Sequence, residues 1–370
     1  MKKLTRLLIL ILIFIQAAAQ AEPLGIGTTF SPRQSEYLDQ DWKAVYLSIL
    51  GMGFDIIRLS AYWDRIEKKK DTYDFGSLDW QIKEAKKRKI PVVLTVGMKA
   101  PRWPEYHIPE WLLAELDLRA GQELGRHPLL KERTLKFIKK VVNRYKNEPI
   151  IECWQVENEP LGRFGPHFWW IGKDFLKEEV NLVRSLDPHR RPILITTETY
   201  PNNFIRFIIG LIPPRTPIRD STLLCDILGI DIYPVVGKKF WRFEYYVRTR
   251  RPERLKYFSE VVKQTERCGK KIWITELQAE PWEAGKLVHK GPERPVSIRP
   301  DMIQTTLDEM KSLGIDTVLL WGAEYWHFRK ARHGDQAWLK KVKDILQKNL
   351  GSPTPQILLS PCNYRRFVIY

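Results

Sequence analysis

The 370-residue sequence predicts an α/β chain folded as a single (β/α)8 TIM barrel. Length is the first reason. The roughly 350 residues that follow an N-terminal leader exceed a usual single core but suit a barrel with insertions, which runs from about 200 to over 400 residues. The second is alternation: short β-branched runs and helical patterns follow one another along nearly the whole chain, as parallel βαβ units do. The third is placement, because several of the apolar runs end in a charged or aromatic residue, and in such barrels chemistry sits at the C-terminal ends of the strands.

The chain opens "MKKLTRLLILILIFIQAAAQAEP", with Lys2, Lys3 and Arg6 ahead of an apolar stretch from Leu7 to Ile15 and small residues up to Ala21. This reads as a cleavable signal peptide over residues 1–21, cut after Ala19-Gln20-Ala21, and so predicts a secreted or periplasmic protein. An uncleaved anchor is the alternative, disfavoured because the stretch is about half the roughly 20 residues a spanning helix needs. Residues 22–350 form the predicted barrel domain. Its eight strands are "LGIGTTF" from Leu24, "FDIIRLS" from Phe54, "IPVVLTV" from Ile90, "IIECWQV" from Ile150, "PILITT" from Pro192, "DILGIDIY" from Asp226, "KIWITEL" from Lys271 and "DTVLLWG" from Asp316. Helical patterns lie between them, such as "LDWQIKEAKKRK" from Leu78 and "RPDMIQTTLDEMKSLG" from Arg299, the latter ending in Gly314 where a helix stop is expected. Closure into a barrel is the economical arrangement, with an open doubly wound sheet as runner-up. Residues 351–370 form a tail that fits no unit.

The net charge of +17 falls to +14 without the leader, since residues 1–21 hold three cations and no acid (17 − 3). Solvated helix faces such as "KEAKKRK" explain most of it; attraction to an anionic glycan or cell surface is the sharper reading. Nucleic acid is excluded as a partner because the cations are spread over amphipathic helices with no binding motif. Cys153, Cys225, Cys268 and Cys362 form no CxxC pair, and the seven histidines include no His-x-His pair, so neither a metal nor another cofactor is expected. Cys225 and Cys268, both just before strands, are the candidates for one disulfide.

Testing the strand ends selects Arg58, Asn158 and Glu159 in "WQVENEP", Tyr233, Glu276 and Trp321. Buried acids are costly unless paired or hydrogen-bonded, so two carboxylates at one mouth, ringed by Arg, Asn, Tyr and Trp, suit acid/base work on a neutral polar substrate. Tryptophan usage points the same way. Trp63, Trp103, Trp111, Trp169, Trp170, Trp241, Trp282, Trp321 and Trp326 all follow strands, and aromatic faces bury the apolar faces of sugar rings.

"WQVENEP" and "IWITELQAEPW" resemble the fourth and seventh strands of clan A glycoside hydrolases, the retaining (β/α)8-barrel group, and the resemblance extends over most of residues 24–349. It implies a hydrolase of β-linked oligo- or polysaccharides with Glu159 as general acid/base and Glu276 as nucleophile. It further implies that Asn158 binds the sugar 2-hydroxyl, Arg58 supports the nucleophile, Tyr233 lies beside it, and Trp321 is a sugar platform; Trp103 and Trp326 join as binding aromatics from the tryptophan count. "DTYDFGSLDW" resembles the second loop and helix of the group. The departure is at "TVGMKAPRWPEYHIPEW", where His107 is the candidate for a substrate histidine. Glu157 and Glu152 are expected either to support the site through Arg58 or to form a charge pair on the outer face of the strand. The competing function is a catalytically inactive sugar-binding barrel, which should lack one of the two carboxylates.

Overall fold

Eight parallel strands close on themselves in the computed structural model, which describes residues 24–163, 165, 167–199 and 217–350. In chain order the strands are β1 (Gly25–Thr29), β2 (Ile56–Ser60), β3 (Val92–Val96), β4 (Ile151–Val156), β5 (Ile193–Thr197), β6 (Ile227–Ile232), β7 (Val235–Phe240), β8 (Phe243–Arg248), β9 (Lys271–Gln278) and β10 (Thr317–Trp321). The barrel runs β1-β2-β3-β4-β5-β6-β9-β10 and returns to β1, while β7 and β8 form a separate antiparallel hairpin. Each of the eight expected strands is present. The leader and the tail, Cys362 included, lie outside the described residues.

Strand alternation divides the side chains between two cores. Ile57, Leu59, Leu94, Trp154, Val156, Ile195, Ile230 and Leu320 point outward and pack with the helices. Ile56, Val93, Cys153, Leu194, Ile227, Trp273 and Leu319 form a second apolar cluster, one residue from nearly every barrel strand, which plugs the interior. Two residues further along several strands the inward positions turn polar, with Arg58, Gln155 and Thr196 all buried. A dry plug beneath a polar layer confines the chemistry to one end.

The helices have local causes. Pro128–Tyr145 starts with Pro at its first position and an upstream His127 ring that accepts from Leu130 N–H. Its buried Leu130, Phe137, Ile138, Val141, Val142 and Tyr145 recur at helical spacing, leaving Lys131, Lys136 and Arg144 to surface ion pairs. Pro300–Ser312 ends just before Gly314, whose φ of 78° suits a left-handed stop.

Two features differ from the sequence reading. The segment from Val235 to Arg248 forms a hairpin rather than a plain βα loop. Cys225 and Cys268 are both free, since one is buried and the other, at a helix C-terminus, is exposed. Among the described residues, no helix is long and apolar enough to cross a membrane.

Candidate active site

Glu276 owes its position to an irregularity in β9. Ile230 of β6 pairs with Ile274, but the next residue, Asp231, pairs with Glu276, so Thr275 is an extra residue in β9. Consecutive side chains then both turn inward: Thr275 Oγ1 donates to Asp231 Oδ1 at 2.7 Å, and Glu276 meets two donors. Arg58 Nη2 reaches Glu276 Oε1 at 2.8 Å, and the Tyr233 hydroxyl donates to Oε2 at 2.5 Å. Arg58 is itself fully buried and fixed by Thr29 Oγ1 at 2.8 Å and Gln155 Oε1 at 3.2 Å. A bidentate-capable cation held by other donor sites keeps the carboxylate oriented.

Glu159 is presented by a strained strand end. Glu157 and Glu159 have φ of 62° and 43°, left-handed values that cost about 1–3 kcal/mol each in non-glycine residues. Hydrogen bonds enforce them: Glu157 N–H to Val96 O, Asn158 N–H to Lys99 O, and Glu159 N–H to Thr196 Oγ1 at 2.8 Å. The Asn158 side-chain oxygen accepts from Gln155 Nε2 at 3.1 Å and Thr196 Oγ1 at 3.3 Å. Its amide N–H pair is thereby the end left to face a ligand.

The Glu159 carboxyl is pushed well above the ordinary range by burial, then by the neighbouring carboxylates Asp231, Glu198 and Glu276, with Lys99 opposing. Asp231 is likewise raised by burial and by Glu276, against Arg58 and Thr275. Burial and the Glu276 charge raise the Tyr233 phenol, which remains a donor. Lys99, although buried, is held charged by Glu105, Tyr106 and Glu159, and its ammonium donates to the Glu159 carbonyl at 3.0 Å.

Glu157 does not reach Arg58. Its oxygens accept from Met98 N–H at 2.8 Å and Lys99 N–H at 2.6 Å, clamping the turn after β3. Gly97 permits this: at φ 121° its position would put a Cβ 2.1 Å from the Glu157 carboxylate. Glu179 is buried as a charged neighbour of Glu157, and the two carboxyls titrate together. Burial raises both carboxyls, Glu157 to about 7 and Glu179 further because the Glu157 charge adds to the effect. Glu152 sits half-buried on the outer face, with Arg191 as its charged neighbour.

Other residues selected from sequence land as follows. Trp321 is buried, with the Arg102 guanidinium 3.8 Å from its ring centroid, and Arg102 pairs with Glu280 and Glu324. Trp103 lies on the loop after β3 and is 46 % exposed. Trp326 corrects the expectation. It is fully buried against Phe54 with its indole N–H on Ala279 O at 2.7 Å, so no sugar can reach it. Trp63 is also core, stacked on Phe137. His107 is buried behind Tyr62, its Nδ1 3.7 Å from Asp64 Oδ1. Asp231, Gln155, Thr196 and Lys99 escaped sequence reading. For Asp231 a signal existed, a charge inside an otherwise apolar strand and two residues from Tyr233, hence on the same face. Among the described residues no cluster of His, Cys, Asp and Glu is arranged to hold a metal.

Residues 29–170 match glycoside hydrolase family 42, described as beta-galactosidase. Among relatives, a beta-galactosidase of Planococcus sp. (strain L4) is 28 % identical over 144 residues, 36 % of this chain and 21 % of the relative. A putative mannan endo-1,4-beta-mannosidase of Arabidopsis thaliana is 25 % identical over 169 residues, 39 % of this chain and 40 % of the relative. The matches thus span from about a fifth to two fifths of these relatives' length. Among solved structures, a beta-galactosidase from Rahnella sp. R3 superposes with TM-score 0.64 at 13 % identity, covering 90 % of this chain and 57 % of the other. Xylanase 10B from Thermotoga petrophila RKU-1 gives 0.53 at 14 % identity, covering 89 % and 95 %. At such identities the structural likeness concerns the fold.

Proposed function

We propose that this chain, a (β/α)8 barrel of the clan A glycoside hydrolase type, is a retaining glycoside hydrolase acting on β-linked saccharides, with Glu159 as acid/base and Glu276 as nucleophile. The observation that carries the reading is the unequal environment of the two carboxyls. Glu276 accepts from Arg58 and Tyr233, while Glu159 faces other carboxylates and holds its proton. One acid and one anion are what double displacement needs.

In the first step Glu276 attacks the anomeric carbon as Glu159 passes its proton to the departing glycosidic oxygen. Esterification removes the Glu276 charge, and with it part of what raised Glu159, which becomes acidic enough to deprotonate water. Water then displaces Glu276 with net retention. Bonds to the Asn158 side-chain oxygen leave its amide N–H pair, which supports a donor role toward the sugar, and the partly exposed Trp103 and Trp282 offer stacking surface. Export by the residue 1–21 leader and the 22–350 domain division belong to the same proposal and rest on the sequence.

Azide separates the two roles on a panel of 2,4-dinitrophenyl β-glycosides of galactose, mannose, glucose and xylose, whose leaving group needs little protonation. Glu159→Ala should still form the glycosyl-enzyme and yield β-glycosyl azide, whereas Glu276→Ala should give the inverted α-azide by direct attack. Natural-type substrates should lose on the order of 10⁴-fold in turnover, about 5.5 kcal/mol of barrier. Azides of the opposite configuration would exchange the roles. Wild-type protein inactive on the whole panel would favour the sugar-binding barrel instead.

A further inference from the structure

The β7–β8 hairpin leaves the barrel directly after Tyr233 and is tied back to β9, where Gln278 exchanges two hydrogen bonds with Val235. Residues directly opposite in an antiparallel pair share a face. One face carries Val235, Gly237, Lys239, Glu244, Tyr246 and Arg248, and at Val235, Gly237 and Tyr246 it packs against the barrel's own chain. Gly237 N–H bonds Trp282 O at 2.8 Å, the Tyr246 hydroxyl bonds Glu283 at 2.7 Å, and a Cβ on Gly237 would lie 2.3 Å from Ala284 N.

The opposite face, with Lys238, Phe240, Phe243 and Tyr245, is open to solvent. Phe240 and the turn residue Trp241 are 73 % exposed and Phe243 is 63 % exposed. Single exposed aromatics are ordinary, but a contiguous set marks a binding surface. This one joins the candidate site through rings in sequence. Tyr233, on Glu276, meets exposed Trp282 edge-on at 4.9 Å between centroids; Lys238 Nζ lies 5.7 Å from the Trp282 ring; Lys238 is paired with Tyr245, and Phe240 with Phe243. Cations accompany the rings. Arg242 sits 4.2 Å from the Trp241 centroid, and among the described residues neither Lys238 nor Arg242 has an ion pair.

We propose that this hairpin face is a distal subsite for an acidic polysaccharide, a sugar chain carrying uronate groups that runs from the barrel mouth across Trp282 to Phe243 and Phe240. The aromatics stack on sugar rings, and the Arg242 fork and the Lys238 ammonium take the carboxylates. The direction of the track rests on the glycosidase reading, since it starts at Glu276. Trp282, in contact with both Tyr233 and Lys238, links the surface to that site, and its cations complement an anion. A polymer rather than a disaccharide is implied by its reach well beyond one sugar.

Affinity electrophoresis tests this with 4-O-methylglucuronoxylan, glucuronate-bearing arabinogalactan and rhamnogalacturonan, each native and carboxyl-reduced. At least one native polymer should bind wild-type protein about tenfold or more tighter than its reduced form, and Arg242→Gln and Phe243→Ser should each erase most of that difference. Both variants should keep the wild-type melting temperature and aryl glycoside turnover. Equal binding of native and reduced polymers overturns the proposal. So does retention on phosphatidylglycerol vesicles without any on polysaccharide, or a dimer seen by light scattering that Phe243→Ser dissociates. Aryl glycoside turnover by the wild type reports on the glycosidase reading separately, because that substrate does not reach the hairpin.

Discussion

Asp231 is the residue whose charge bears most on how Glu159 works. It is buried, faces Glu159 and Glu276, and is fixed by Thr275. Asp231 is itself raised well above the ordinary carboxylate range, so it titrates together with Glu159, and the charge that appears on Asp231 as pH rises keeps Glu159 protonated to higher pH. In the proposed mechanism catalysis requires the Glu159 acid form and is lost as pH rises through its pKa. Asp231→Asn removes the charge but keeps the shape, and the alkaline limb of kcat/KM should move to lower pH by about one unit or more. An unmoved limb in a folded variant, or one displaced upward, would contradict this role. Asp231 acts here through Glu159, so the profile discriminates it from a residue needed only for folding.

Strand β4 and the turn after β3 are joined by the Glu157 carboxylate, and the Glu157–Glu179 pair makes that junction depend on pH. Both carboxyls titrate above their ordinary value of 4.5, Glu157 at about 7. Between those pH values the native state holds a proton that the unfolded chain has released. Stability from this pair is therefore greatest below the unfolded value and falls as pH rises toward 7 and beyond. Glu179→Gln supplies a permanent donor to Glu157 and should flatten that fall in chemical denaturation at pH 5 to 8; an unchanged slope would show that the two carboxyls do not titrate together. At this scale the sequence was readable where alternation and β-branching coincide, which is why all eight barrel strands were visible in it. The β7–β8 hairpin was not, because "VVGKKFWRFEYYVR" lacks the Asn-Gly type of turn and follows Tyr233 where a βα loop is the default. Nor was the extra residue in β9: in "IWITELQ" Thr275 and Glu276 are adjacent polar residues after an apolar run, and only pairing with β6 reveals that both face the same way. Trp326 was misplaced for a related reason, since position after a strand does not tell whether a ring turns to the mouth or to the helix layer.

At the scale of the molecule, the apolar plug forces function to one end, and the excess of positive charge is carried largely by helix faces. Lys86, Lys131, Lys136 and Arg144 all find acids there, in exposed pairs that solvent screens. The hairpin cations are the exception, being grouped with aromatics beside the mouth. The proposed double displacement has Glu276 form a covalent bond to the sugar. Its most direct test is trapping with 2-deoxy-2-fluoro-β-glycosyl fluorides of the same sugar panel, followed by peptide mass spectrometry. The account predicts one fluoroglycosyl group on the peptide bearing Glu276, formed by the wild type and absent from Glu276→Ala; a label on Asp231, Glu280 or Glu159, or turnover without any covalent adduct, would contradict it.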